Sequence, residues 1–211
     1  MLLDVDGTLV DSNDSHAQSW VRAFAEAGMS VAFERVRPLM GMGGDKLLPE
    51  IDPALDSDRE PGKTIAKRRG EIFKERFLEA IEPTPGARDL LLTLRRMKVR
   101  CVVATSAKSD ELQMLLQRID AADLIDDATT TEDAEKSKPS PDIVSAALEK
   151  AGAEPGATLM LGDTRFDIEA ARKAGVATIG LRCGGSSERD LAGAIAIFDD
   201  PAALDRHLRA G

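Results

Sequence analysis

Short apolar, β-prone runs alternate with helical stretches along this chain of 211 residues, and this alternation limits the possible folds most strongly. Strands that alternate with helices are typical of a parallel sheet covered by helices, an α/β fold of the doubly wound kind. The apolar runs predict strands at Leu2–Val5, Val99–Ala104, Thr158–Leu161, Val176–Leu181 and Ala194–Phe198, with a weaker one at Ala128–Thr130.

The interval between the first two predicted strands breaks this alternation. It contains helical patterns and no convincing strand, and its length of about 70 residues far exceeds an ordinary connection. The helices predicted there are Ser15–Ala27, Val31–Met40, Asp45–Ile51 and Pro61–Ile81. We therefore predict a helical cap domain at residues 14–83, inserted into a core domain formed by residues 1–13 and 84–211.

Composition excludes several classes of function. The net charge of −9 and the scarcity of aromatic residues argue against nucleic acid and anionic membranes as partners. No apolar run approaches the roughly 18 residues of a membrane span, and the start lacks the pattern of a signal peptide. Because Cys101 and Cys183 lie far apart with no metal-like spacing, we expect a reducing, cytoplasmic location.

Two carboxylates follow the first predicted strand. Side chains alternate along a strand, so Asp4 and Asp6 project to the same side. Two like charges this close repel unless a cation, a shared proton or a dipole compensates them, and Mg²⁺ suits carboxylate oxygens. The alternative is a polar turn that caps the next helix, with Asp11 or Ser12 at the cap position.

Three further segments place chemically useful side chains beside predicted strand ends or helix starts. Thr105 and Ser106 could hold a phosphate with their hydroxyl and amide groups, Lys138 could balance negative charge, and Asp163 and Asp167 could bind a cation. Each segment also has an alternative explanation. The hydroxyl residues could cap a helix, the lysine could be a solvated surface residue, and the aspartates could be acids at the start of a helix. Ligands of parallel sheets bind at the carboxyl ends of the strands, so the combination predicts one shared site.

These four segments resemble, in order, the motifs of the haloacid dehalogenase superfamily of phosphohydrolases with an aspartate nucleophile. The matching segments are DVDGTLVDS from Asp4, VVATS through Thr105, KPSPD from Lys138 and GDTRFD from Gly162. The resemblance extends from Leu2 to about Phe198. It implies a Rossmann-like core, and the helical insertion resembles the small cap that encloses small substrates.

The resemblance also implies catalytic roles. Asp4 would attack phosphorus and form an aspartyl-phosphate, and Asp6 would act first as the acid and then as the base. Thr105 and the Ser106 amide would hold the phosphoryl group, and Lys138 would orient Asp4 and balance charge.

The same resemblance implies a magnesium site. Mg²⁺ would be bound by Asp4, by the backbone carbonyl of Asp6 and by Asp163. Asp167 would be either a further ligand or a support for the others.

Within the superfamily, the chain is most similar to the branch of phosphoglycolate phosphatases and β-phosphoglucomutases. The mutase pattern has Glu where this chain has Gly162, and its cap arginine has only Lys46 as a nearby counterpart. These differences favour a Mg²⁺-dependent phosphatase that acts on a small phosphorylated metabolite. A phosphosugar mutase is the alternative, and a non-catalytic binding module is the least favoured.

Residues of the cap are less sharply predicted. His16 is either a surface residue near the hinge or a group that transfers a proton or contacts substrate. Arg37 and Lys46 are candidate anion contacts, and the glycine-rich loop around Gly41 is a candidate substrate contact.

Overall fold

The computed structural model describes residues 1–210, which form one sheet of six parallel strands in the order β3-β2-β1-β4-β5-β6. The strands are β1 (Leu2–Leu3), β2 (Val102–Ala104), β3 (Asp127–Thr129), β4 (Leu159–Gly162), β5 (Ala177–Leu181) and β6 (Ala196–Phe198). The predicted α/β class with a doubly wound parallel sheet is confirmed.

The shortest strand occupies the centre of the sheet. In β1, Leu2 pairs with Val102 of β2 and with Met160 of β4. Leu2 packs into the apolar cluster on one face, whereas Leu3 packs into the cluster on the other, as the two-residue period of a strand requires. The chain crosses in opposite directions on the two sides of β1, so the cleft between β1 and β4 is where ligands of such sheets bind.

Helices cover both faces of the sheet and form the insertion. Those that follow β1 before the sheet resumes are α1 (Asn13–Glu26), α2 (Phe33–Val36), α3 (Gly44–Ile51) and α4 (Gly62–Arg76). The remaining ones are α5 (Ala87–Arg96), α6 (Ser109–Arg118), α7 (Asp142–Ala151), α8 (Arg165–Lys173) and α9 (Pro201–Ala210). Short 3₁₀ turns lie at Arg37–Leu39, Leu78–Ala80, Ala122–Leu124 and Pro155–Ala157.

The helical insertion, α1 to α4, has an apolar cluster of its own. Trp20 and Phe24 of α1 pack there with Leu47 and Leu48 of α3 and with Ile72 of α4. The two connections to the sheet run side by side, because the amide of Asp11 donates to the Glu82 carbonyl and that of Thr84 donates to the Leu9 carbonyl. The exact domain bounds, 14–83 and 1–13 with 84–211, stay a prediction.

Several elements are shorter than the sequence predicts. The first strand ends at Leu3 because the Val5 carbonyl accepts from the amides of the turn that follows, at Thr8, Leu9 and Val10. The helix predicted at Val31–Met40 divides into α2 and a 3₁₀ turn at Pro38, whose nitrogen has no hydrogen to donate. The helix predicted at Pro61–Ile81 begins at Gly62 and ends at Arg76, and a 3₁₀ turn at Leu78–Ala80 follows it.

Helices within residues 1–210 are all too short or too polar to cross a membrane.

Candidate active site

A buried lysine links two aspartates at the carboxyl end of the central strands. The Lys138 ammonium lies 2.6 Å from Asp4 Oδ1 and 2.7 Å from Asp167 Oδ1. Lys138 is 0% exposed and Asp4 is 5% exposed, so the pair is shielded from solvent. Such burial is costly unless each charge has a partner at hydrogen-bond distance, and both carboxylates have one.

Negative charge exceeds positive charge in this cluster. Asp4, Asp163 and Asp167 each offer a carboxylate oxygen, and these oxygens lie within 4.8 Å of one another. Burial raises the pKa of Asp4 to about 7, with Lys138 opposing the shift and Asp167 and Asp6 adding to it. Burial also raises the pKa of Asp163, together with the charges of Asp4 and Asp167. A cation would relieve this repulsion.

The donor set fits Mg²⁺, which binds hard oxygen ligands and carboxylates in particular. Asp163 is held by Thr8 Oγ1, which donates to Oδ1 at 3.2 Å, and by Asn13 Nδ2, which donates to Oδ2 at 2.9 Å. Asp167 is more fully engaged, since its Oδ1 accepts from Lys138 and its Oδ2 accepts from the amide and hydroxyl of Thr164. These contacts favour Asp163 as a direct ligand and Asp167 as the supporting residue.

Asp6 lies in a different electrostatic environment. Its Oδ1 accepts a hydrogen bond from Ser12 Oγ at 2.5 Å and lies 2.8 Å from His16 Nε2. Burial by itself would raise the pKa of Asp6, but His16, Ser12 and Arg69 outweigh burial and lower it. The pKa values of Asp4 and Asp6 therefore move apart, which suits two carboxylates with different tasks.

His16 is buried rather than exposed at a hinge. Its ring stacks on Phe73 with the centroids 4.0 Å apart, and Nδ1 lies 3.2 Å from Arg69 Nη1. Because a guanidinium can only donate, Nδ1 accepts, and Nε2 carries the hydrogen that is donated to Asp6. The contact with Arg69 thus fixes which tautomer of His16 faces Asp6.

A cavity of about 40 Å³ lies over these groups. Its lining includes Asp4, Asp6, Thr105 and Ser106, together with Gly41 from the insertion. Such a volume has room for about three water molecules. Asp4, Asp6, Thr105 and Ser106 thus face one small, partly open space, whereas Lys138, Asp163 and Asp167 do not line it.

The predicted cations of the insertion lie elsewhere. Lys46 does not line this cavity, and its ammonium lies 3.7 Å from the Asp45 carboxylate. Arg37 donates to Asp14 and to the Gly184 carbonyl, and it lines a separate cavity of about 360 Å³.

The cationic side chain of the insertion that does line the small cavity is Arg69 of α4, not Lys46 or Arg37. It lines the small cavity and pairs with Glu111 of α6. A signal for it exists in the sequence, because Arg69 lies four residues after Ile65 and three before Ile72, on the apolar face of an amphipathic helix. A cation at such a position points into a packed interface.

Asn13 is a second residue that the sequence reasoning missed. It is buried beside the carboxylate cluster, and its Nδ2 donates to both Asp163 and the Gly184 carbonyl. With the amide nitrogen committed to two acceptors, the carbonyl oxygen is left without a partner among residues 1–210. An orphaned acceptor beside Asp163 fits the hydrogen of a water bound to a metal ion.

Comparison with known proteins agrees with the fold and the motifs. The chain is 26% identical over 179 residues to a phosphorylated carbohydrates phosphatase from Thermotoga maritima, covering 85% of this chain and 82% of that protein. It is 28% identical over 210 residues to a phosphoglycolate phosphatase from Pseudomonas putida, covering 97% and 77% respectively. The crystal structure of a hydrolase from Pseudomonas syringae superposes with a TM-score of 0.91 at 29% identity, covering 99% of this chain and 96% of that one.

The family model for haloacid dehalogenase-like hydrolases matches residues 1–181. This match covers every motif on which the resemblance was based, from Asp4 to Asp167. The chain belongs to the haloacid dehalogenase-like hydrolase family.

Proposed function

We propose that this protein is a Mg²⁺-dependent phosphatase that hydrolyses a small phosphomonoester through an aspartyl-phosphate on Asp4. The observation that carries the proposal is the contrast between two neighbouring carboxylates. Asp4 lies among Lys138, Asp163 and Asp167, whereas Asp6 faces His16 and Ser12. The relatives named as phosphatases of carbohydrates and of phosphoglycolate support the same reaction class.

In the first step, a carboxylate oxygen of Asp4 attacks phosphorus and the bond from phosphorus to the ester oxygen breaks. The leaving oxygen takes a proton from Asp6. Lys138, at 2.6 Å, holds Asp4 in place and offsets part of the negative charge. Thr105 and Ser106 line the space that the phosphoryl group would fill.

In the second step, water attacks phosphorus, its proton passes to Asp6 and Asp4 is released with orthophosphate. Asp6 must therefore hold a proton in the first step and lose it before the second. The His16 hydrogen bond favours the ionised form needed as base, and an incoming phosphate dianion favours the protonated form needed as acid. Bound Mg²⁺ would supply charge neutralisation for the phosphoryl oxygens.

The size of the cavity bears on substrate entry. The space beside the reacting carboxylates is narrow, about 40 Å³, and opens outward; Met40, Gly41 and Met42 of the insertion form part of its wall. Because the insertion contributes to this wall, we expect it to move relative to the sheet domain as a phosphomonoester enters and as product leaves. Closure behind the substrate would then exclude bulk water from the aspartyl-phosphate.

The test is release of orthophosphate from p-nitrophenyl phosphate in the presence of Mg²⁺. We expect turnover that stops on chelation, together with a phosphorylated protein trapped by rapid acid quench. Turnover that is unaffected by chelation would contradict the metal requirement. Isomerisation of β-glucose 1-phosphate without net phosphate release would instead identify a mutase, against which Gly162 and the position of Lys46 argue.

A further inference from the structure

An ion pair joins the helical insertion to the sheet domain at the wall of the small cavity. Arg69 Nη1 of α4 lies 3.2 Å from Glu111 Oε1 and 3.1 Å from Oε2 of α6. The two side chains are 18% and 7% exposed, and both line the cavity together with Asp4 and Asp6. The reacting carboxylates and this pair therefore face the same space.

Because Arg69 is paired with Glu111, the cavity offers no unpaired cation that could bind a negatively charged leaving group. Among the described residues that line the cavity, Arg69 is the only lysine or arginine, and the Glu111 carboxylate balances its charge. The guanidinium also donates to His16 and lies 5.4 Å from the centre of the Trp20 ring. A ligand that drew Arg69 away would leave the Glu111 carboxylate buried without its partner, which is strongly unfavourable.

A carboxylate or phosphate on the leaving group would meet Glu111 directly. A hydroxyl group would not, because it is uncharged and can both donate and accept. The Glu111 carboxylate can accept its proton, and the Nε–H of Arg69 is a buried donor with no acceptor within residues 1–210. A hydroxyl oxygen would satisfy that donor at no electrostatic cost.

We propose that the Arg69–Glu111 pair selects phosphomonoesters whose leaving group is uncharged and carries hydroxyl groups, and that it rejects leaving groups that carry a carboxylate or a second phosphate. The substrate class is thus a polyol or sugar monophosphate. This inference rests on the proposed phosphatase function.

A matched pair of esters tests the inference. 2-Hydroxyethyl phosphate and phosphoglycolate differ at the end of a two-carbon leaving group, which is an alcohol in one and a carboxylate in the other. We expect kcat/KM to favour 2-hydroxyethyl phosphate at least tenfold. Where turnover of either ester is too slow to measure, the inhibition constants of the two esters against p-nitrophenyl phosphate compare their binding, and 2-hydroxyethyl phosphate should bind more tightly.

The variant Glu111→Gln removes the charge and keeps a hydrogen-bond acceptor for Arg69. It should lower the preference at least tenfold, mainly by improving phosphoglycolate. The control is Asp110→Asn on the same helix turn, because Asp110 pairs with Lys74 at 2.5 Å and lies outside the cavity wall. The control should keep the wild-type ratio.

A wild-type protein that uses phosphoglycolate as well as the alcohol would overturn the inference. So would a folded Glu111→Gln variant whose ratio stays within twofold of wild type. If Glu111→Gln fails to fold, the wild-type ratio and the variant Arg69→Lys decide, since Arg69→Lys keeps the charge balance and should preserve the preference. A wild-type protein that hydrolyses no phosphomonoester, p-nitrophenyl phosphate included, would refute the proposed function instead.

Discussion

Replacing Lys138 with Met should destabilise the metal-free protein severely. The lysine is fully buried, and its ammonium is the hydrogen-bond partner of both Asp4 and Asp167. Its removal leaves these two carboxylates, with Asp163 close by, in a space from which water is largely excluded. Removing one partner of a buried ion pair typically costs about 3–5 kcal/mol in the free energy of unfolding.

The corresponding fall in melting temperature is about 6–20 °C, since 1 kcal/mol shifts Tm by about 2–4 °C in a domain of this size. Urea denaturation and thermal melting in the presence of a chelator measure both quantities. The matched control is Lys67→Met, because Lys67 pairs with Glu71 at the surface of α4. Loss of an exposed pair of this kind should cost less than about 1 kcal/mol.

The pH dependence of the defect provides a second test. Burial already raises the pKa of Asp4 to about 7, and loss of the Lys138 cation removes the main influence that opposes the shift. A carboxyl whose pKa is raised from 3.8 in the folded state lowers stability progressively as pH rises from 3.8 through the raised pKa, and that stability is regained as pH falls and the group takes up a proton. The deficit of Lys138→Met relative to wild type should therefore be larger at pH 8 than at pH 5.

Either of two results would refute this reasoning about Lys138. One is a loss of less than about 1 kcal/mol at pH 8, which would mean that the carboxylates do not depend on the lysine. The other is a deficit that grows as pH falls. The double variant Lys138→Met with Asp167→Asn should recover part of the lost stability, because it removes one uncompensated charge.

Three further outcomes follow from the same geometry. Asp4→Asn should lower kcat for p-nitrophenyl phosphate by at least about 10³-fold, because it removes the nucleophile, and an unchanged circular dichroism spectrum should show that the fold is kept. Mg²⁺ at 100 times its dissociation constant should stabilise the protein by about 2.7 kcal/mol in thermal melts, and Asp163→Asn should lose this effect. Asn13→Leu should weaken Mg²⁺ binding about 10- to 100-fold in calorimetry, since Asn13 orients Asp163; affinity equal to wild type would contradict that role.

Sequence patterns were sufficient for the sheet and for the order of its strands along the chain. An apolar run such as Val102–Ala104 predicts a strand from neighbouring residues alone. The polar residues that follow such a run are only a few positions away, so their place at the end of the strand can also be predicted. The haloacid dehalogenase-like family was recognisable for the same reason, because each motif is contiguous. Element ends were less predictable, as at Leu3, where turn amides compete with the ladder for carbonyl oxygens.

The environment of each site residue was decided by tertiary structure. Asp4 and Asp6 are separated by a single residue and look equivalent in the sequence, yet one lies among carboxylates and a lysine while the other faces His16. Their pKa values depend on burial and on neighbours that are distant in the chain, so no local pattern can distinguish them.

By itself, the sequence determined a parallel α/β sheet, a helical insertion and the chemical groups available at the strand ends. The meeting of Arg69 with Glu111, and of Asn13 with Asp163, required the folded chain. These partners lie 42 and 150 residues apart and share no motif. Periodicity tells which face of a helix is buried, whereas the packing of one element against another decides which side chains meet there.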